Sequence, residues 1–99
     1  MAKALDFHPK ALEEALTAVR WYAERSRQAA DELLTEIQNA IDAVSSAPER
    51  YPNFIAGTRR FLLKRFPFSL VYHDGPSLIE IVAVAHSRRR PGYWKDRLR

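Results

Sequence analysis

The sequence predicts an α+β domain in which a helical hairpin packs on one face of a mostly antiparallel sheet, in the order β-α-α-β-β-β. Three observations predict it. The first half carries apolar residues at helical spacing, and the second half switches to short aliphatic and aromatic runs bounded by Pro or Gly. The composition, 46% hydrophobic and 28% charged over 99 residues, fits one core, so residues 1–99 are read as one domain.

Lys3 to Phe7 supplies a first strand. The first helix opens near Pro9, whose missing N–H costs nothing in a first turn. Its expected buried face is Leu12, Ala15, Leu16, Val19, Tyr22 and Ala23, with Trp21 along the margin. A polar break from Glu24 to Gln28 turns the chain into a hairpin. The second helix, capped by Ser26, buries Ala30, Leu33, Leu34, Ile37, Ala40, Ile41 and Val44 and stops at Ser45-Ser46-Ala47-Pro48. Glu49 to Thr58 reads as a loop. Strands are expected at Arg59 to Arg65, Phe68 to His73 and Leu78 to Ala85, with Pro67 dividing the first two and Asp74-Gly75-Pro76 turning between the others. "LIEIVAVA" is apolar at nearly every position, so this strand is expected near the middle of the sheet, buried on both faces.

Without cysteine there are no disulfides, thiolate zinc sites or thiol nucleophiles. No apolar run approaches the ~20 residues of a membrane span, and no leader opens the chain, so the expectation is a cytoplasmic protein without a membrane role. His8, His73 and His86 share no metal-ligand spacing, and neither metal nor cofactor is expected. The net charge of +4 and pI of about 9.8 favour an anionic partner. The excess lies in the second half, where Arg88, Arg89, Arg90, Arg97 and Arg99 follow the last strand.

The segment "HSRRRPGYWKDR" gathers the most chemistry. His86 could act as acid or base, Arg88, Arg89, Arg90 and Lys64 could hold phosphate, and Tyr93 or Trp94 could stack on a base. The structural alternatives are as concrete. A histidine that ends a strand is commonly hydrogen-bonded in place, and Trp94 can fold back as an anchor while the arginines stay available. A short terminal helix is expected over "YWKDRL". Phe61, Leu62 and Leu63 lie on both sides of one strand, and only one side can meet the hairpin. The other needs cover or a partner.

"FHPKALEEALTAVRWYAERS", "AIDAVSSAPERYP", "RRFLLKRFPFSLVYHD" and "LIEIVAVAHSRRRPGYWKDR", in that order, resemble the RelE/ParE superfamily of type II toxin–antitoxin toxins, nearest the ParE-like branch. The resemblance implies a small bacterial growth-inhibiting toxin of the plasmid-stabilisation kind, neutralised in a hetero-oligomer by a cognate antitoxin with an acidic C-terminal segment. It also implies two modes of action: ParE-like members bind DNA gyrase, and RelE-like members are metal-independent endonucleases that cut messenger RNA on the ribosome. A degenerate member would keep antitoxin binding alone. RelE-type ribonucleases usually carry arginine directly before "LVY", where this chain has Ser69, and this favours the binding mode. Three residue sets follow. Arg59, Arg60, Leu62 and Arg65 are expected to meet the antitoxin. Arg88, Arg89, Arg90, Tyr93 and Trp94 are expected to meet the target. His86, Arg88, Lys64 and Tyr93 are the catalytic candidates if the chain is a ribonuclease.

Overall fold

The computed structural model describes residues 3–98. Strand β1 (Ala4–Phe7) leads into α1 (Pro9–Ala23), and α2 (Arg27–Ser46) returns antiparallel to it. After 3-10 turns at Pro48–Arg50 and Ile55–Gly57 come β2 (Arg59–Leu62), β3 (Phe68–Asp74) and β4 (Leu78–His86), and a last 3-10 turn spans Lys95–Arg97. The predicted order holds. The sheet order is β1-β4-β3-β2, and the apolar β4 runs through its middle. The sheet is mixed: β3 pairs antiparallel with β2 and β4, whereas β1 pairs parallel with β4.

Both helix starts follow from local chemistry. Ser26 Oγ accepts from the Ala29 N–H at 3.1 Å, as its position predicts. Pro9 is the first helical residue of α1, and the cap is His8, whose Nδ1 accepts from the Lys10 N–H. The buried face of α1 keeps Ala15, Val19 and Tyr22 of the expected set but not Leu12, Leu16 or Ala23, which are exposed. Ala11, Ala15 and Ala18 face the core, while Leu12 and Leu16 are 47% and 52% exposed. At 100° per residue the true face lies about one position round from the leucine stripe. The alanines allow close approach of α1 to β4, which leucines would hold off. Leu34 of α2 is likewise exposed, whereas Ala30, Leu33, Ile37, Ala40 and Val44 are buried. Strand β2 is shorter than predicted. The backbone N–H groups of Lys64 and Arg65 leave the sheet and donate to the carboxylate of Glu36 on α2.

Two apolar clusters lie on opposite faces of the sheet. The larger joins Leu70, Tyr72, Ile79, Ile81 and Val84 to the hairpin. The smaller joins Val71, Val82 and Ala83 to Trp94, with Phe54, Ile55 and Leu98 at its border. The face away from the hairpin is therefore covered by the chain's own tail and the loop before β2. A bulge makes this arrangement work. Val71 is opposite Ala83 and Tyr72 is opposite Ile81, which leaves Val82 as the extra residue on β4. Val82 and Ala83 can then both join the smaller cluster, while Ile81 and Val84 keep to the helix side.

Candidate functional site

The segment after β4 is built as a clamp. Ser87 N–H donates to the Pro67 carbonyl, and Arg89 N–H to the carbonyl of His86, turning the chain at the sheet edge. Gly92 permits the next turn at a φ of +84°, where a Cβ would lie 2.8 Å from Lys95 Cε. Trp94 follows, 1% exposed, its ring centroid 6.0 Å from that of Phe54. Burying an indole of this size contributes roughly 4–6 kcal/mol before its entropy cost.

Glu14 of α1 receives the tail. Its two oxygens accept from Arg97 Nη1 and Nη2 at 2.9 and 3.0 Å, a two-point ion pair with side chains only 18% and 12% exposed. The same carboxylate accepts from Tyr93 Oη at 2.6 Å and from the Val84 N–H at 3.0 Å. Arg97 Nη1 also donates to the carbonyl of the bulged Val82. Strand β1 ends opposite Ile81, so the edge of β4 beyond it lacks a strand partner. Glu14 and Arg97 satisfy that edge in place of a strand. Burial pushes the Glu14 carboxyl up, but the hydrogen bonds from Arg97, Tyr93 and Val84 outweigh it and hold the group below its ordinary range. Burial first, and Glu14 second, push the Tyr93 hydroxyl far above its usual range, so it stays protonated and donates a hydrogen bond to Glu14. The Arg97 guanidinium is held charged chiefly by its bond to Glu14.

On this frame stand Arg88, Arg89 and Arg90, all exposed. Among the described residues, none of them and neither Arg59 nor Arg60 forms an ion pair. Arg89 lies over the Tyr93 ring at 3.8 Å, and Arg60 over Phe54 at 4.2 Å. His86 sits at the root of the tail. Its Nδ1 accepts from the Arg88 N–H at 3.0 Å, and its ring meets Phe68 edge-on at 5.0 Å, leaving Nε2 for other contacts. Lys64 belongs to the β2–β3 turn tied to Glu36 rather than to this group. The expected antitoxin set is dispersed. Arg59 donates to the Tyr51 carbonyl on the hairpin side, Arg65 pairs with Glu32 of α2, and Arg60 and Leu62 lie on the tail-covered face. Trp94, expected in the target-binding set, is an interior anchor in this structure and presents almost no surface.

An opening of about 550 Å³ lies between α1 and the root of the tail, bordered by Trp21, Tyr22, Phe68, His86 and Tyr93. Trp21 is half exposed there, with the Arg25 guanidinium 3.7 Å over its ring.

Residues 5–91 match the family profile described as ParE toxin of type II toxin-antitoxin system, parDE. The chain belongs to the ParE toxin family. A solved structure of the chromosomal ParDE TA system from P. aeruginosa is similar to this ParE-family chain with a TM-score of 0.75. It covers 86% of this chain and 96% of the other, at 17% identity, and therefore speaks to the fold. No curated protein sequence matches. The profile ends at Pro91, so the Tyr93, Trp94 and Arg97 contacts that organise the ParE-family tail here lie beyond the matched residues. Sequence reasoning missed Glu14 and Arg97. They are 83 positions apart, and each reads locally as an ordinary surface charge. The nearest signal was indirect: a glutamate beside the alanines that proved to be the packing stripe.

Proposed function

We propose that this chain is the toxin of a type II module, held in a hetero-oligomer by a cognate antitoxin with an acidic C-terminal segment. When free in the cytoplasm it acts by binding a cellular target such as DNA gyrase. One observation carries the choice of binding over cleavage: the tyrosine beside the basic tail is already used structurally. The Tyr93 hydroxyl is committed to Glu14, and its ring lies beneath Arg89. A group so held, with its hydroxyl pushed away from titration, is poorly placed to donate a proton or stack on a base. Ser69, where the ribonuclease branch usually has arginine, supports the same reading. The gyrase target rests on likeness to the ParE-like branch. The opposing observation is His86, whose Nε2 stands beside the arginine tail and keeps a ribosome-dependent RNA cleavage open to test.

The test is controlled expression in a bacterium followed by assays on the purified protein. Growth should stop and recover when an adjacent antitoxin frame is co-expressed. The protein should inhibit supercoiling or trap cleaved DNA, and RNA in a translating extract should stay intact. Messenger RNA cleavage abolished by His86→Ala or Arg88→Ala would replace this reading with the endonuclease. Unimpaired growth at high soluble expression would leave a non-toxic antitoxin-binding member.

A further inference from the structure

We infer that the small cavity beneath the arginine tail is a socket for one carboxylate side chain of an acidic, aliphatic protein segment. This deepens the toxin–antitoxin reading and rests on it, because the acidic segment is taken to be the antitoxin's. The cavity measures about 60 Å³ and is bordered by Arg60, Arg89, Arg90, Ser69 and Ser87 over the Trp94 floor. A water molecule needs about 10–15 Å³ of such space, so the cavity is small and has room for a compact polar group such as a carboxylate. Arg60 and Arg89 each stand over an aromatic ring, with Cζ 4.2 and 3.8 Å from the ring centroid. Among the described residues neither guanidinium donates a side-chain hydrogen bond, so both keep N–H forks that match a carboxylate. Among the described residues no carboxylate pairs with Arg60, Arg89 or Arg90, so the site carries positive charge that nothing within reach neutralises. The two serine hydroxyls add polar wall without adding charge.

Phosphate has similar size, and the surroundings decide between the sources. A nucleic-acid strand would want an open aromatic face beside its phosphate. Here Phe54 and Tyr93 each carry a guanidinium on the ring, and Trp94 is buried. Beside the socket, on the same face of the sheet, is Leu62, the register partner of Ser69 and 60% exposed. An acidic side chain in the socket therefore puts a neighbouring aliphatic side chain within reach of an apolar surface.

The test is a nuclear magnetic resonance titration of the full ¹⁵N-labelled chain. One probe is a capped five-residue peptide with glutamate two positions from leucine. The others are its glutamine twin, inorganic phosphate and a short oligothymidylate. The glutamate peptide should shift the signals of Arg60, Leu62, Ser69 and Ser87 and bind at least about tenfold more tightly than its twin. Arg89→Ala, on an exposed side chain, should reduce that preference to below about threefold, and Arg60→Gln should do the same. Equal binding of the twins, a preference unmoved by Arg89→Ala, or tighter binding of oligothymidylate at these residues would overturn the socket. Tighter phosphate binding there would assign the site to a phosphate ligand and overturn it too. Growth inhibition is scored separately. Glutamate preference without toxicity or antitoxin rescue counts against the toxin reading alone, and toxicity with rescue but no preference counts against the socket alone.

Discussion

Glu14 shows how much one side chain can be asked to hold. It neutralises Arg97, receives Tyr93 and satisfies the Val84 N–H, so its removal leaves a buried charge and two buried donors without partners. Breaking a buried pair in this way costs on the order of 3–5 kcal/mol. We expect Glu14→Ala to lower stability by about that amount in urea unfolding followed by far-ultraviolet circular dichroism. The pH dependence has a definite sign. A carboxyl held below its ordinary value in the fold takes up a proton more readily when unfolded, so its contribution is whole at neutral pH. That contribution is lost as the pH falls below the ordinary value of 4.5 and on through the depressed native one. Wild type should therefore lose stability over this acid range more steeply than Glu14→Gln, and parallel curves would show that Glu14 is not the group responsible. At the alkaline end burial pushes Tyr72 up to about 12, so its stabilising effect is present below its ordinary 10 and fades as the pH rises towards 12.

At the scale of elements, the sequence reports type more faithfully than orientation. Both helices, the four strands and the central place of β4 follow from period and punctuation. The buried side of α1 followed only in part, because leucine carries a stronger apolar signal than alanine whereas close helix–sheet approach favours alanine. Leu12 and Leu16 stayed on the surface for that reason, and with Leu34 they give the hairpin an apolar exterior. The Val82 bulge was equally hidden, since β4 is apolar on both faces and a slip of one position leaves no mark in such a run. The candidate site was half legible. Its arginines were evident, but Glu14, Ser69 as socket wall and the place of Arg60 over the Phe54 ring depend on contacts across the fold. A pair of substitutions tests the orientation of the hairpin. Leu16→Glu should change stability by no more than about 0.5 kcal/mol, whereas Leu33→Ala, in a fully buried position, should cost about 2–5 kcal/mol. A comparable loss from both in thermal denaturation would put Leu16 back in the core.

At the scale of the whole molecule, Arg88, Arg89 and Arg90 stand at the start of a folded-back tail whose later residues, Trp94 and Arg97, anchor it. For an acidic partner segment, apolar burial should set the lifetime of the complex and charge the rate of encounter. Replacing Arg88, Arg89 and Arg90 together by Ala should slow association about tenfold at low salt and flatten its salt dependence, with dissociation much less affected. Leu62→Ala should instead speed dissociation. Stopped-flow kinetics with a synthetic antitoxin segment separates the two, and wild-type association by the triple variant at every salt concentration would assign the arginines to another partner. The Glu14–Arg97 clamp also sets a clock on synthesis. Its two halves are 83 positions apart, and translation at about 5–20 residues per second separates their appearance by about 4–17 s. Until Arg97 emerges, the far edge of β4 is unsealed, the Trp94 berth is vacant and the basic tail has no frame. A nascent chain stalled before that point carries the hairpin with its exposed leucines but no organised cationic surface. The order of manufacture thus exposes the leucines of the hairpin before the polypeptide can display its charge on an organised frame.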